Sequence, residues 1–348
     1  MQIVNHTRLS AALTFAFDHD AAEVLCVAVK GTFTLPVDGD VVRLADEQAP
    51  LLYGDEYWGD PSDSSIRYPA DLIPGKAATD VLLTGTARSP TVTPVQRLEA
   101  SVRVGPVFKR VVVSGDRYWQ KRSLGGGFVI SEPTYFTEMP LVYERAFGGV
   151  DRTSENESEH EWDARNPVGV GFRVNRDAVD GTPVPNIEDP ASPMTSWRDR
   201  PPVAGFGAIG VAWEPRSIFA GTYDDAWLNT RAPLLPADVQ PQFFSAAPAG
   251  LMADGFLESG ESVELVNVSE TSRLSFRLPA IDVLLTPHIG RSAKTHRAHL
   301  WTVLFVPDEH RFCMVWGGAY PIGKQPAQVT EVEVHVDEST SRELALDR

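Results

Sequence analysis

The chain has 348 residues, 43% hydrophobic and 22% charged, an ordinary balance for a folded protein long enough to bury a large core. Its 47 acidic against 31 basic residues leave a net charge of −16 and a pI near 4.9. Phosphate backbones and anionic membranes repel such a surface, which argues against nucleic-acid and membrane partners and for a basic protein partner.

The first residues, MQIVNHTRLSAALTFAF, do not read as a secretion signal, because Asn5, His6, Arg8 and Ser10 break the apolar core that one needs. With no apolar run approaching the ~20 residues that span a bilayer, a cytoplasmic protein is expected. Residues 23–35 (EVLCVAVKGTFTL) are almost continuously apolar and rich in Val, predicting a strand buried on both faces. Cys26 in this run and Cys313 in FCMVW are too few for a disulfide framework and are expected as buried free thiols. Strands follow over 80–86, 98–104 and 107–113, the last two turned by Gly105 and Pro106.

From 139 to 227 regular patterning stops. Gly, Pro, Asn, Trp and Tyr occur there at a density that helices and sheets do not tolerate. The embedded Phe147, Phe172, Trp213, Phe219, Tyr223 and Trp227 argue for order all the same, because disordered segments are poor in aromatics. Within this region, 151–163 (DRTSENESEHEWD) carries six acidic residues against one Arg and reads as a mobile, solvated loop, either a spacer or an electrostatic docking element. Short helices are predicted over 192–198 and over 223–229, the latter started by Asp224 and Asp225.

In the last third, 262–268 and 273–278 alternate, and 301–306 with 311–316 form a hairpin around 307–310. Residues 330–337 place Val332, Val334 and Val336 on one face, with Glu331, Glu333, His335 and Asp337 on the wet one. The expected fold class is mainly β with little helix. Two β-rich lobes, 1–135 and 255–338, sandwich- or barrel-like, are joined by a long irregular middle, 136–254, rich in Gly, Pro and aromatics. Residues 339–348 read as a frayed tail.

Several segments recur in a characteristic order: GDP (59–61), PADLIPGKAATDVLLTG (69–85), GDRYW (115–119), MPLVYERAFGG (139–149), NPVGVGF (166–172), PNIEDP (185–190) and AGTYDDAW (220–227). In that order the chain resembles the bacterial domain of unknown function 2169 family, as a single domain over 1–338. The resemblance implies a place in type VI secretion. Members are thought to act as adaptors or chaperones that load a toxic effector onto the valine-glycine-repeat spike protein. The implied partners are therefore an effector and the spike, and the implied protein is not an enzyme and carries no cofactor. The acidic 151–163 segment departs from the family pattern.

The motifs of other chemistries fail on context. Gly205, Gly207 and Gly210 spell G-x-G-x-x-G, but Pro201 and Pro202 precede it and Pro215 follows, leaving no strand and helix to aim backbone N–H groups at a phosphate. ADLIPGKA (70–77) lacks the first Gly and the hydroxyl of a P-loop. His296 and His299 are spaced for a metal pair, yet they run into a strand with no third ligand nearby. The carboxylates Glu138, Glu144, Glu188, Asp189 and Asp224 are the material for an alternative reading, a β-rich carbohydrate-binding protein or hydrolase. A plainer role for such groups is to tie irregular loops together. Arg117, Trp119, Arg145, Phe147, Asn166, Arg216, Tyr223 and Trp227 are the candidate partner-binding or loop-anchoring residues, since Trp, Tyr and Arg dominate interface hot spots. For Trp119, Trp213 and Trp227, core packing weighs above partner contact.

Overall fold

Alternating and Val-rich runs become strands throughout the computed structural model, which describes residues 1–18, 20–37, 41–123, 125–323 and 326–337. In chain order the principal strands are β1 (Gln2–Asn5), β2 (Ser10–Phe17), β3 (Glu23–Thr34), β4 (Asp80–Leu83), β5 (Arg97–Val104), β6 (Val107–Ser114), β7 (Arg117–Lys121), β8 (Phe128–Ile130), β9 (Pro183–Val184) and β10 (Ile187–Glu188). After the irregular middle come β11 (Ser262–Val266), β12 (Arg273–Arg277), β13 (Val283–Ile289), β14 (His299–Val306), β15 (Arg311–Pro321) and β16 (Val329–Val336). The fold is mainly β, as the sequence predicts, and is built from several open sheets.

Strands from the two β-rich segments share these sheets. The first runs β2-β3-β15-β14-β4, with β3 and β15 antiparallel from Thr34 opposite Arg311 to Val24 opposite Pro321. In the second, β10-β6-β5-β11-β12, the hairpin of β5 and β6 pairs through β5 with β11. The third places β16 between β1, parallel to it, and β13, antiparallel. A fourth, β8-β7-β9, lies in the GDRYW region.

β3 is buried from Val24 to Phe33, and its two faces serve different cores. Leu25, Val27 and Val29 join a large cluster with Val102 and Leu265 of the second sheet and Val332 and Val334 of the third. Ala28, on the other face, packs with Trp301, Val315 and Leu72. Phe276 of β12 crosses to Phe312 of β15 at 5.4 Å, and Phe312 stacks on Phe33 at 5.3 Å, so aromatic rings join the first two sheets. Cys26 and Cys313 are buried free thiols as expected, and burial pushes Cys26 up to about 12.

Two local expectations change. Residues 192–198 form turns rather than a helix. The Asp199 carboxylate accepts from Thr195 N, Thr195 Oγ1 and Ser196 N, a local bond set that competes with helical pairing. The acidic 151–163 segment, expected as a mobile, solvated loop, is closed as a hairpin: Val150–Asp151 pairs with Glu161–Trp162, and Glu157–Glu159 forms a 3₁₀ turn capped by Asn156. Asp151 is buried and accepts from Thr153 N at 3.0 Å and Val174 N at 2.8 Å. Its carboxylate thereby does what an apolar anchor does elsewhere. The predicted tail, 339–348, lies outside the described residues.

Candidate functional site

The segments that recur in order along the sequence converge in space through buried polar anchors. Arg117, at the start of β7, donates to Glu188 Oε2 at 2.6 Å and to the Pro185 carbonyl at 2.5 Å, joining GDRYW to PNIEDP. The other Glu188 oxygen accepts from Met194 N at 2.9 Å. Trp119, Phe147, Phe172, Val184 and Met194 make a separate apolar cluster, contributed by three of the segments and by residues flanking PNIEDP. Asn166 is fully buried; its Nδ2 donates to the Tyr143 carbonyl at 2.8 Å and the Phe147 carbonyl at 3.0 Å, holding NPVGVGF against ERAFGG. Gly149 is required where these loops touch: its φ is +97°, and a Cβ there would lie 2.2 Å from the Gly169 carbonyl oxygen. Arg145 is half-buried, with Nη1 3.2 Å from Asn186 Oδ1 and 3.5 Å from Asp116.

PADLIPGKAATD is anchored in the same way. Asp71 pairs with Lys30 of β3 at 2.9 Å and accepts from Leu52 N at 2.8 Å. Lys76 pairs with Asp80 at 2.5 Å and donates to Thr302 Oγ1 at 2.9 Å, so the lysine of the P-loop-like run is committed to a buried ion pair.

Residues 213–245 leave this anchored body as an excursion with a fixed neck. Arg216 is buried and donates to the Ile209 carbonyl at 2.6 Å and the Phe243 carbonyl at 3.2 Å, holding the outgoing and returning chain together. Burial pulls its guanidinium down from the ordinary value, opposed by Asp55 and Asp80. Gln240 N bonds the Phe219 carbonyl at 3.0 Å, and Thr222 N and Oγ1 donate to Asp238 at 2.9 and 2.7 Å. Gly221, at φ +85°, makes that closure possible; a Cβ would meet Asp238 and Pro236 at 2.7 Å.

At the tip lies the predicted helix, α1 (Asp225–Thr230), capped by Asp224 through Trp227 N at 2.8 Å. Trp227 is half-buried, donating from Nε1 to the Leu234 carbonyl at 2.8 Å and packing edge-on against Tyr223 at 4.7 Å. Tyr223, Ile218 and Leu228 face solvent, 53%, 63% and 61% exposed. At the base is a 310 Å³ cavity lined by Pro74, Gly75, Val239, Pro241 and Phe244.

The eight predicted residues therefore divide by position. Arg117, Trp119, Phe147, Asn166 and Arg216 are buried anchors, Arg145 is intermediate, and Tyr223 and Trp227 sit on the excursion. Sequence reasoning missed Ile218 and Leu228, which stand beside Phe219 and Trp227 in sequence and carry no signal of their own. The middle-region carboxylates are all engaged in structural bonds. Glu138 pairs with Arg88, Glu144 accepts from Ser65 N at 2.7 Å and Ser65 Oγ at 2.8 Å, and Asp189 accepts from Ala191 N at 2.8 Å. The G-x-G-x-x-G run is irregular, bending at 206–207 against Tyr143, whose hydroxyl donates to the Gly207 carbonyl at 3.0 Å. His296 packs on Tyr320 and His299 stacks on Phe256. A cleft of 610 Å³ lies elsewhere, lined in part by Gln48, Glu56, Tyr68, Glu309 and Arg311.

Among the described residues no helix is long and apolar enough to cross a membrane. No match to the chain was found among curated proteins or among solved structures. The model of the family described as an uncharacterized protein conserved in bacteria (DUF2169) matches residues 20–317, which contain all of the converging segments, and the chain belongs to that family.

Proposed function

We propose that this chain is a non-enzymatic, cytoplasmic adaptor that binds a type VI secretion effector and loads it onto the valine-glycine-repeat spike protein. The observation that carries the reading is the excursion at 213–245. Its neck is fixed by Arg216 and Asp238 while Tyr223, Ile218 and Leu228 stay exposed at its tip. Large apolar side chains held outward on an ordered support suit a partner surface, because the cost of ordering the loop is met during folding rather than binding. Asp224 and Asp225 flank them, and with the net charge of −16 they favour a basic segment of the effector. Binding is passive, with no nucleotide cycle.

Co-expression with the effector encoded beside the spike gene should give a stoichiometric complex without ATP. Loss of the chain should deplete that effector from the secreted fraction. Tyr223→Ser with Leu228→Ser should break the complex while leaving the melting temperature unchanged, since exposed substitutions usually move stability by no more than ~0.5 kcal/mol. Secretion unaltered by loss of the chain, together with no complex, overturns the reading.

A carbohydrate-binding or hydrolytic role has one observation in its favour, the 610 Å³ cleft with Tyr68, Glu56 and Glu309 on its wall. None of the middle-region carboxylates lines it. Saccharide binding that is lost in Tyr68→Ala would select this reading.

A further inference from the structure

The third sheet gathers three histidines and two glutamates on one face, from β13, β16 and the residue that follows β1. β16 lies between β1 and β13, with Glu331 opposite Gln2 and His288, and Glu333 opposite Val4 and Thr286. The chain continues alongside β16 beyond β1, where His6 N donates to the Val334 carbonyl at 3.0 Å. Residues two apart on a strand share a face and cross-strand neighbours lie about 5 Å apart, so this register brings His6, His288, Glu331, Glu333 and His335 together. Their apolar alternates Val332 and Val334 are buried beneath them. The imidazoles of His6 and His335 stack at 4.2 Å, 13° from parallel. Glu333 Oε2 lies 3.1 Å from His335 Nε2, and Glu333 Oε1 lies 2.9 Å from His288 Nε2.

We infer that His6, His335 and Glu333 form a binding site for a divalent transition-metal ion of the zinc class. One ligand atom from each lies within 4.8 Å of the others. Two ligands of a tetrahedral zinc, each bound at about 2.0 Å, stand roughly 3.3 Å apart, so Glu333 and His335 are already near that spacing. Two imidazoles and one carboxylate suit zinc, cobalt or nickel rather than calcium or magnesium, which prefer oxygen. Three protein ligands leave a fourth position for water or a partner's side chain.

The remaining residues form the support that metal ligands ordinarily have. His288 holds the second oxygen of Glu333, Glu331 stands 3.9 Å from His288 Nδ1, and Gln2 Nε2 donates to Glu331 Oε2 at 3.1 Å. A second grouping, His288 with Glu331 and Glu333, meets the same distance limit. There the His288 ring turns a different nitrogen to each carboxylate, which suits a bridging hydrogen-bond role better than ligation of one ion. A bound ion would clamp β1, a four-residue strand, to β16.

The test uses the full chain without a polyhistidine tag, stripped with chelator and titrated with Co²⁺ and then Zn²⁺. Expected are one equivalent bound, the visible absorption of tetrahedral Co²⁺, its displacement by Zn²⁺, and a metal-dependent rise in melting temperature. Glu333→Gln and His335→Ala should each abolish the absorption while the metal-free melt stays in place. His288→Ala should weaken binding by about 10-fold to 100-fold, the usual effect of losing a residue that orients a ligand. His160→Ala, in the acidic hairpin, should change nothing. No saturable binding, or binding indifferent to Glu333→Gln and His335→Ala, overturns the proposal. Binding abolished by His288→Ala and retained in His6→Ala overturns this choice of ligands.

Discussion

The β sheets and the irregular middle face the same problem, satisfying buried backbone groups, and resolve it with different chemistry. In the first sheet the ladder between β3 and β15 does so largely with main-chain bonds, Gln48 serving Thr32 on the other side of β3, and most of the side chains are free to be apolar. In the middle no long ladder exists, and side-chain amides and carboxylates take its place. Asn166 serves two carbonyls, Glu144 serves Ser65, Asp151 serves Thr153 and Val174, and Glu188 serves Arg117 and Met194. An irregular surface can thus be as well specified as a sheet, but each specifying residue is individually harder to replace.

Substitutions can break that comparison at graded depths. The largest loss is expected in the sheets. Phe312→Ala opens a void between Phe33, Phe276 and Phe305 and should cost ~3–5 kcal/mol in denaturant unfolding. Glu188→Ala should cost about as much, ~3–5 kcal/mol, because it leaves the Arg117 guanidinium buried and unpaired. The two sites differ in rescue. Replacing Arg117 and Glu188 together by apolar residues should recover most of the loss, whereas no single partner change restores Phe312. Should the double variant be no better than Glu188→Ala, the bonds to Pro185 and Met194 matter more than the charge pair.

A smaller effect, ~1–3 kcal/mol, is expected at Asn166→Ala, which removes the Asn166 donor from the Phe147 carbonyl and leaves the Tyr143 carbonyl with the Ala146 amide. Hydrogen exchange should rise locally around 143–171 before the sheets open, and exchange rising everywhere at once would argue against a separately anchored middle.

The gentlest perturbation is acid. Burial raises the Asp151 carboxyl, but the hydroxyl of Thr153 and the amides of Val174, Asn175 and Thr153 outweigh it and hold the group below its ordinary value. Amides of Thr195 and Ser196 do the same for Asp199 against its own burial. A depressed folded value means stability that is complete above the unfolded carboxylate range and is lost as pH falls through the folded values. The middle region should therefore loosen on acidification, and Asp151→Asn should shrink that pH dependence. An acid transition unchanged by Asp151→Asn would contradict it.

The strands were legible because each is announced locally. Alternation marks β5, β6 and β16, a two-sided apolar run marks β3, and Asp224 marks the start of α1. Turn chemistry was partly legible: 192–198 was misjudged because Asp199 draws the preceding amides into a turn, a choice propensity does not register. The wet face of β16 was also visible in sequence, but not as a site, since His6, just after β1, and His288, in β13, arrive from more than forty residues away along the chain. Likewise the sequence favoured core packing for Trp119 but could name Arg117, Asn166 and Tyr223 without saying that the first two turn inward and the last outward.

What the sequence determined by itself is the period of each strand, the face it buries and the residues too unusual to be filler. The tertiary structure alone decided that β1 lies on β16, that β3 lies on β15, and that Arg117 meets Glu188. The physical reason is range. Backbone sterics and side-chain periodicity act over a few residues and leave a trace in order of occurrence, whereas sheet pairing and buried charge compensation join groups whose separation along the chain carries no signal until the chain has closed on itself.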